Sequence, residues 1–161
     1  MKQTLIELFT TYSHEIIFFH VLSAIIWVGG MIAIRLAVHP NIQQIEEPHV
    51  RLGRTLAIMK QFFNIVIPFI LILLLTAVVM ILALKSDDTT MLMHLKEGVW
   101  TIMTVNFVAM YIKRQKAQKL FDAGELPKAK EMLSMLPKLM LPVNIILGLI
   151  ALWLGVSLRG F

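Results

Sequence analysis

The sequence predicts an all-α fold, an integral membrane four-helix bundle, from its composition and its long apolar segments. Apolar residues make up 58% of the 161 residues. A soluble domain of this length could not bury that much apolar surface, whereas a bilayer accommodates it. Each segment approaches the roughly 20 residues that cross about 30 Å of hydrocarbon as a helix. Membrane strands would be shorter and would alternate in polarity, so we expect helices.

The four predicted helices form a single transmembrane domain and cover residues 16–38, 62–84, 91–112 and 139–158. The first carries a histidine near its start and an arginine near its end. The second contains no charged residue and is the clearest of the four. The third has ionisable side chains in its first turns, and the fourth is again apolar.

The charge of the connections predicts the orientation in the membrane. The connections at 39–61 and 113–138 are rich in Lys and Arg, and an excess of these residues marks the cytoplasmic side. Both termini then lie outside, in the periplasm if the membrane is a bacterial inner membrane, as we expect. The net charge of +5 therefore indicates contacts with membrane lipid and not with nucleic acid.

The second basic connection is expected to be partly helical. We predict that the third helix continues to Asp122 and that the Asp122-Ala123-Gly124 turn ends it. Pro127 then begins a short basic segment, because proline is tolerated in the first turn of a helix. We interpret residues 113–138 as a solvated, lipid-facing connector whose lysines reach the headgroups.

Two histidines lie at similar depths in predicted membrane helices. His20 lies about one turn inside the first helix, and His94 opens the third. An ionisable residue in hydrocarbon is costly and suggests a functional site. Helical bundles hold cofactors between such side chains, and haem iron accepts imidazole as an axial ligand. We predict haem b with His20 and His94 as iron ligands; the alternative is that each makes only a hydrogen bond across a helix interface.

Other residues restrict or extend this site. Cysteine is absent, which excludes disulfides, thiolate metal sites and covalently attached haem. Trp27 shares a helix face with His20, and Gly30 would let a planar macrocycle or, alternatively, a neighbouring helix approach closely. Glu97 follows His94 by three residues on the same face and is expected to orient its imidazole.

A second polar cluster lies at the opposite end of the first helix. Arg35 and His39 are four residues apart, and Arg54 follows in the connection. Arg35 lies about 22 Å from His20 along a helix that rises 1.5 Å per residue. This distance is too long for a propionate of a haem held by His20. The cluster would bind an anionic substrate, a second cofactor or lipid phosphate.

The first helix also carries a resemblance to known proteins. His20, the run Trp27-Val28-Gly29-Gly30, and Arg35 with His39 resemble the first helix of the HemJ family of membrane protoporphyrinogen oxidases. The related CopD-like copper-resistance membrane proteins show a similar helix. The resemblance covers about the first two-thirds of the chain.

The later motifs of the resemblance are shorter. Arg54, Met59 and Pro68 fall where the family has a basic segment before a proline-bearing second helix. His94-Leu95-Lys96 is similar to its His-x-Lys signature. Its Asn-Glu-x-Pro stretch before the last helix is only echoed by Pro142-Val143-Asn144.

The resemblance implies a b-type haem oxidoreductase that oxidises protoporphyrinogen IX to protoporphyrin IX. Electrons would pass to a quinone-type molecule or a respiratory partner. It implies that His20 is an axial ligand and that Arg35 and Lys96 are catalytic or handle the substrate. Whether the bundle forms a homo-oligomer is left open, as is a purely structural role in a larger complex.

Copper handling is the alternative function. Met91, Met93 and His94 stand together at the outer end of the third helix, and thioethers suit Cu(I) while imidazole suits either oxidation state. The chain has 11 methionines, although methionine commonly fills the cores of helical proteins. A copper transporter would need a polar path, and between Trp27 and Arg35 the first helix is mostly apolar.

Overall fold

The computed structural model describes residues 2–84 and 91–157. It is 94% helical, and neither of these stretches contains a strand. The all-α prediction is therefore confirmed. The predicted loop at 85–90 and the last predicted residue of the fourth helix, Leu158, lie outside the described residues.

Seven α-helices and two π-helical turns make up the described chain. The α-helices are α1 (Lys2–Thr11), α2 (Ser13–Ala33), α3 (His39–Gln43), α4 (Pro48–Leu84), α5 (Met91–Asp122), α6 (Leu126–Met135) and α7 (Leu141–Ser157). The π-turns Ile34–Val38 and Leu136–Met140 join α2 to α3 and α6 to α7 without a break. Most of the predicted connections are therefore helical as well.

Three continuous helical stretches, Ser13–Gln43, Pro48–Ala83 and Leu126–Ser157, are long and apolar enough to cross a membrane. They contain the first, second and fourth predicted spans, except for the last predicted residue of the second span and that of the fourth. The protein is thus a helical bundle suited to a membrane. By the same measure of length and composition, α5 is not among these stretches, because charged and amide side chains lie along its described residues.

The four long helices form a closed ring. α2 packs against α4 and α7, and α5 packs against α7, α6 and α4. The largest fully buried side chains fill the interior, including Trp27, Met31, Phe63 and Met110. Large apolar side chains such as Trp153 also point outward. This arrangement fits a bundle whose outer surface meets lipid.

Specific contacts fix the direction and the crossing of the helices. Gly148 of α7 faces Val28 of α2, and a Cβ added at Gly148 would lie 2.7 Å from Val28 Cγ2. The lack of a side chain at Gly148 therefore lets α7 approach α2. Asn106 of α5 donates to Asn144 Oδ1 at 2.7 Å and to the Met140 carbonyl at 2.8 Å.

The buried Asn144 completes this polar contact by donating to the Met103 carbonyl at 3.2 Å. Two amide side chains thereby satisfy each other and the backbone at the α5–α7 interface. Such interhelical hydrogen bonds in a membrane are each worth on the order of 1 kcal/mol. The region that echoes a family motif in sequence, residues 142–144, thus contributes a structural contact.

The connector between α5 and α7 confirms one prediction and corrects another. α5 ends at Asp122, Gly124 has φ of +78°, and Pro127 lies in the first turn of α6, as the sequence predicts. The interpretation of the whole connector as solvated and lipid-facing was wrong. Ala129 and Leu133 of α6 are buried, because α6 folds back along α5.

Candidate functional site

The imidazole of His20 lies half-buried between α2 and α4. Its Nδ1 is 2.9 Å from Thr76 Oγ1. The Thr76 hydroxyl itself donates to a backbone carbonyl of its own helix, Ile72 at 2.8 Å or Leu73 at 3.0 Å. A hydroxyl has one proton, so when Thr76 donates to its own helix, His20 Nδ1–H is the donor to Thr76. In the neutral ring the lone pair then lies on Nε2, the nitrogen that would bind a metal.

Two buried polar atoms lie on the same side of α2. Ser23 and Trp27 are fully buried, and within the described residues neither Ser23 Oγ nor Trp27 Nε1 has a hydrogen-bond partner. The Trp27 ring packs edge-on against Phe107 of α5, with centroids 5.6 Å apart. Burying unsatisfied polar groups is costly. These groups therefore remain able to hydrogen-bond a ligand or water.

Gly30 serves helix packing in this structure. A Cβ added there would lie 3.0 Å from Phe62 Cε2 of α4. Of the two alternatives for Gly30, the structure thus shows the close approach of a neighbouring helix, through the Phe62 ring. The predicted contact of Trp27 with a cofactor stays a prediction.

His94 lies at the start of α5 and is largely exposed. Its side chain is 65% exposed, and its Nδ1 is 3.6 Å from Oε2 of Glu97, which is 48% exposed. Glu97 thus lies beside His94 on the expected face. Met91 is also exposed, whereas the side chain of Met93 lies outside the described residues.

Lys96 lies at the same end of the bundle as His20. A Cβ added at Gly155 of α7 would lie 3.4 Å from Lys96 Nζ. Gly155 is two turns beyond Gly148, which faces Val28, and α7 runs antiparallel to α2. Gly155 is therefore level with the first half of α2. We call this end, which holds His20, Thr76 and Lys96, the His20 end.

Arg35 lies at the opposite end. It is half-buried in the π-turn after α2 and interacts electrostatically with His39. Arg54 is exposed on α4. Since Arg35 follows His20 by fifteen residues, about 22 Å of helix separates them.

Sequence reasoning missed a buried cation at this opposite end. Arg114 of α5 is only 4% exposed. Its Nε and Nη2 donate to the Leu56 carbonyl of α4 at 3.3 and 3.1 Å, and Nη2 also donates to Gln118 Oε1 at 2.8 Å. Gln118 Nε2 in turn donates to Asp122 Oδ1 at 2.8 Å. We call this end, with Arg114 and Leu56, the Arg114 end.

Burial lowers the pKa of the Arg114 guanidinium, and electrostatic interactions with Tyr111 and Asp122 partly oppose that shift. The group stays charged at neutral pH, because the ordinary arginine value lies far above it. The four-residue spacing of Arg114, Gln118 and Asp122 was the available sequence signal, since such residues share a helix face. It was obscured by the many lysines in the same segment.

The described residues contain no cluster of three or more His, Asp or Glu side chains able to hold a metal ion by themselves. A haem would need only one or two imidazoles, since its porphyrin supplies the other iron ligands. No protein-family model matches the chain, and no curated protein or solved structure is significantly similar to it. The resemblance to the HemJ and CopD-like families therefore rests on the short motifs alone.

Proposed function

We propose that this chain is a membrane haem protein that binds haem b at the His20 end and transfers electrons. The observation that carries the proposal is the hydrogen bond from His20 Nδ1 to Thr76 Oγ1 at 2.9 Å. Histidine ligands of metals commonly donate their second ring nitrogen to a fixed acceptor, which sets the tautomer and the ring orientation. Thr76 provides such an acceptor from the neighbouring helix.

The residues around His20 fit a haem in their chemistry. The iron accepts an imidazole nitrogen, and haem supplies one-electron redox chemistry when bound. Thr76 holds the His20 ring in place. Ser23 and Trp27 offer buried donors without a protein partner in the described chain, and these would hydrogen-bond a propionate or an ordered water.

His94 is the proposed second ligand. It lies at the start of α5, which runs parallel to α2, and thus belongs to the His20 end. Glu97, 3.6 Å from its Nδ1, would play for His94 the part that Thr76 plays for His20. The His94 side chain is 65% exposed whereas His20 is half-buried. His20 is therefore the better supported ligand.

The proposed reaction is the oxidation of protoporphyrinogen IX to protoporphyrin IX, with the electrons passing to a quinone-type molecule or a respiratory partner. The sequence resemblance is its support. Lys96 shares the end that holds His20, so we assign it to a substrate bound near the haem. Arg35 lies about 22 Å from His20 along the helix and would act on a different molecule, such as the acceptor or a lipid.

We also propose that the His20 end faces the periplasm of a bacterial inner membrane. Supporting this, the two basic connections meet at the Arg114 end, where Arg114 of α5 contacts Leu56 of α4. Excess Lys and Arg mark the cytoplasmic side.

The test is the absorption spectrum of the detergent-purified chain, oxidised and after reduction with dithionite. We expect a b-type spectrum that His20→Ala abolishes or converts to high spin. His94→Ala should change the spin state if His94 is the second ligand. His14→Ala is the matched control, because His14 is an exposed histidine near the start of the same helix, and it should leave the spectrum unchanged.

Three outcomes contradict parts of this proposal. A protein that stays colourless after reconstitution with haem would overturn it, and a copper titration of wild type and His94→Ala would then test the alternative. A spectrum insensitive to His20→Ala would exclude His20 as a ligand. A haem protein that does not oxidise protoporphyrinogen would keep the cofactor and remove the proposed substrate.

A further inference from the structure

The Arg114 end of the bundle contains a cleft that the proposed haem site does not use. It lies between α4 and α5 and has a volume of about 600 Å³. From α4 it is lined by Lys60, Phe63 and Asn64, and from α5 by Tyr111 and Arg114 among others. The lining is thus mostly polar.

Arg114 is a built part of this cleft. It is 96% buried, the complement of its 4% exposure, and two of its three nitrogens are held by Leu56 and Gln118. In the described chain the third nitrogen, Nη1, makes no hydrogen bond to a protein group. A fixed guanidinium with one free edge is suited to an anion, because its geometry matches phosphate and carboxylate oxygens.

The remaining lining complements a single anionic group. Lys60 adds a second cation at the exposed edge. Asp122 is the one carboxylate of the lining, and it already accepts a hydrogen bond from Gln118 at 2.8 Å. Two cations against one carboxylate leave a net charge of +1. Asn64 and Gln115 place amide groups in the same lining, so neutral donors surround the cations.

The predicted spans place the cleft at the depth of lipid headgroups. Lys60 is sixteen residues before Thr76 in α4, which corresponds to about 24 Å along the helix. The predicted apolar spans of α4 and α5 begin and end within two residues of Lys60 and Arg114. An aromatic wall stands on the membrane side, where Phe63 packs edge-on against Tyr111 with centroids 5.4 Å apart.

We propose that this cleft binds a phosphate group through Arg114 and Lys60. The phosphate belongs either to an anionic phospholipid or to a free phosphate compound, because both offer the same oxygens to the same donors. The aromatic wall and the headgroup depth suit the lipid source. The site lies at the opposite end of the bundle from His20, so it does not depend on haem binding.

The experiment uses the full chain, delipidated in detergent, with two probes. Native mass spectrometry follows binding of phosphatidylglycerol, and isothermal titration calorimetry follows binding of inorganic phosphate. Lys60→Gln is the deciding variant for the proposed site, because Lys60 is exposed and its substitution should not affect folding. We expect binding about tenfold weaker, as for the loss of one charge-assisted contact. Lys116→Gln is the matched control, since it removes an exposed charge of α5 outside the cleft.

The outcomes separate the sources and can overturn the site. Phosphatidylglycerol binding that weakens only in Lys60→Gln supports a lipid headgroup, and phosphate binding with the same dependence supports a free phosphate compound. Equal weakening by Lys60→Gln and Lys116→Gln overturns the proposal, because it shows only attraction to surface charge. Absence of binding by either probe overturns it as well. Arg114→Gln, where circular dichroism shows native helix content, should abolish binding.

Discussion

The two ends of the bundle treat their ionisable side chains in different ways. At the Arg114 end, a buried guanidinium joins α5 to the backbone of α4 and continues into a chain of hydrogen bonds along α5. At the His20 end, His20 is half-buried against Thr76, while His94 and Glu97 are 65% and 48% exposed. The Arg114 end thus joins α5 to α4 through a buried side chain beside an open cleft, whereas the His20 end leaves its imidazoles half-buried or exposed.

This difference predicts where substitutions reduce the stability of the fold most. A buried charge with several protein acceptors stabilises the folded bundle only while those acceptors stay in place, and its removal is costly. Exposed ionisable pairs contribute little to stability. They are nevertheless accessible to a ligand. We therefore expect substitutions at the Arg114 end to affect folding most, and substitutions at the His20 end to affect cofactor binding.

The largest effect is expected for Arg114→Ala. It removes the contacts with Leu56 and Gln118 and leaves a cavity, so the free energy of unfolding should fall by about 3 kcal/mol. Unfolding in mixed detergent and dodecyl sulfate micelles, followed by circular dichroism, measures this change. Lys116→Ala, an exposed position of the same helix, should stay within about 0.5 kcal/mol of wild type. Equal losses in both variants would remove the proposed difference between the ends.

A substitution in the middle of the bundle, where α7 crosses α2, should have the next largest effect. In Gly148→Ala the new methyl group would overlap Val28 Cγ2, at 2.7 Å, and Val28 has a short, stiff side chain. We expect a loss of about 2 kcal/mol in the same unfolding assay. Gly29→Ala is the control, since a Cβ there meets nothing within 4 Å. The double variant Gly148→Ala with Val28→Ala should recover part of the loss; no recovery would place the strain elsewhere.

Thr76→Val tests the connection at the His20 end. It keeps the shape of the side chain and removes the acceptor of His20 Nδ1, so we expect a loss of about 1 kcal/mol. Nitrogen NMR of the histidine should show that His20 loses its preference for a proton on Nδ1. The matched control is Thr101→Val, whose hydroxyl donates only to the Glu97 carbonyl of its own helix. An unchanged His20 tautomer in Thr76→Val would contradict the assigned direction of the hydrogen bond.

The smallest effect is expected for Glu97→Gln. Its contact with His94 is exposed and 3.6 Å long, so the free energy of unfolding should change by about 0.5 kcal/mol or less. The unfolding assay used for Arg114→Ala also measures Glu97→Gln, so the two losses of stability can be compared directly. A loss above about 1 kcal/mol would show that the pair is covered in the assembled protein, since exposed pairs do not reach that value.

Hydrophobic patterning was sufficient to predict the helices that cross the bundle. Three of the four predicted spans fall within helical stretches long and apolar enough to cross a membrane, because a chain in a bilayer must satisfy its backbone polar groups within helices. The third, at 91–112, lies in α5, which is not among those stretches. The turn at Gly124 was also predictable, since its φ of +78° suits a residue without a Cβ. The fold of α6 onto α5 was not predictable, because the buried Ala129 lies between Lys128 and Lys130, and these lysines suggested a solvated segment.

The sequence indicated which residue types form the candidate site better than it indicated their hydrogen-bond partners. His20 stood out in sequence because a lone imidazole in an apolar run needs an explanation. Its partner Thr76 lies 56 residues away, and no local pattern indicates that pairing. The burial of Arg114 was hidden for the same reason, because the Leu56 carbonyl it contacts is 58 residues distant and carries no side-chain signal.

The two π-turns change the phase of the helices that they interrupt. A π-turn accommodates one extra residue, and each residue of an α-helix advances the rotation by about 100°. The side chains after Ile34–Val38 and after Leu136–Met140 are therefore rotated relative to an uninterrupted helix. Deleting one residue within either turn would restore α-helical winding. In the first turn this would rotate α3 away from its present neighbours, and in the second it would rotate α7 relative to α6. The bundle thus depends on chain length at these two points as strictly as it depends on hydrophobicity elsewhere.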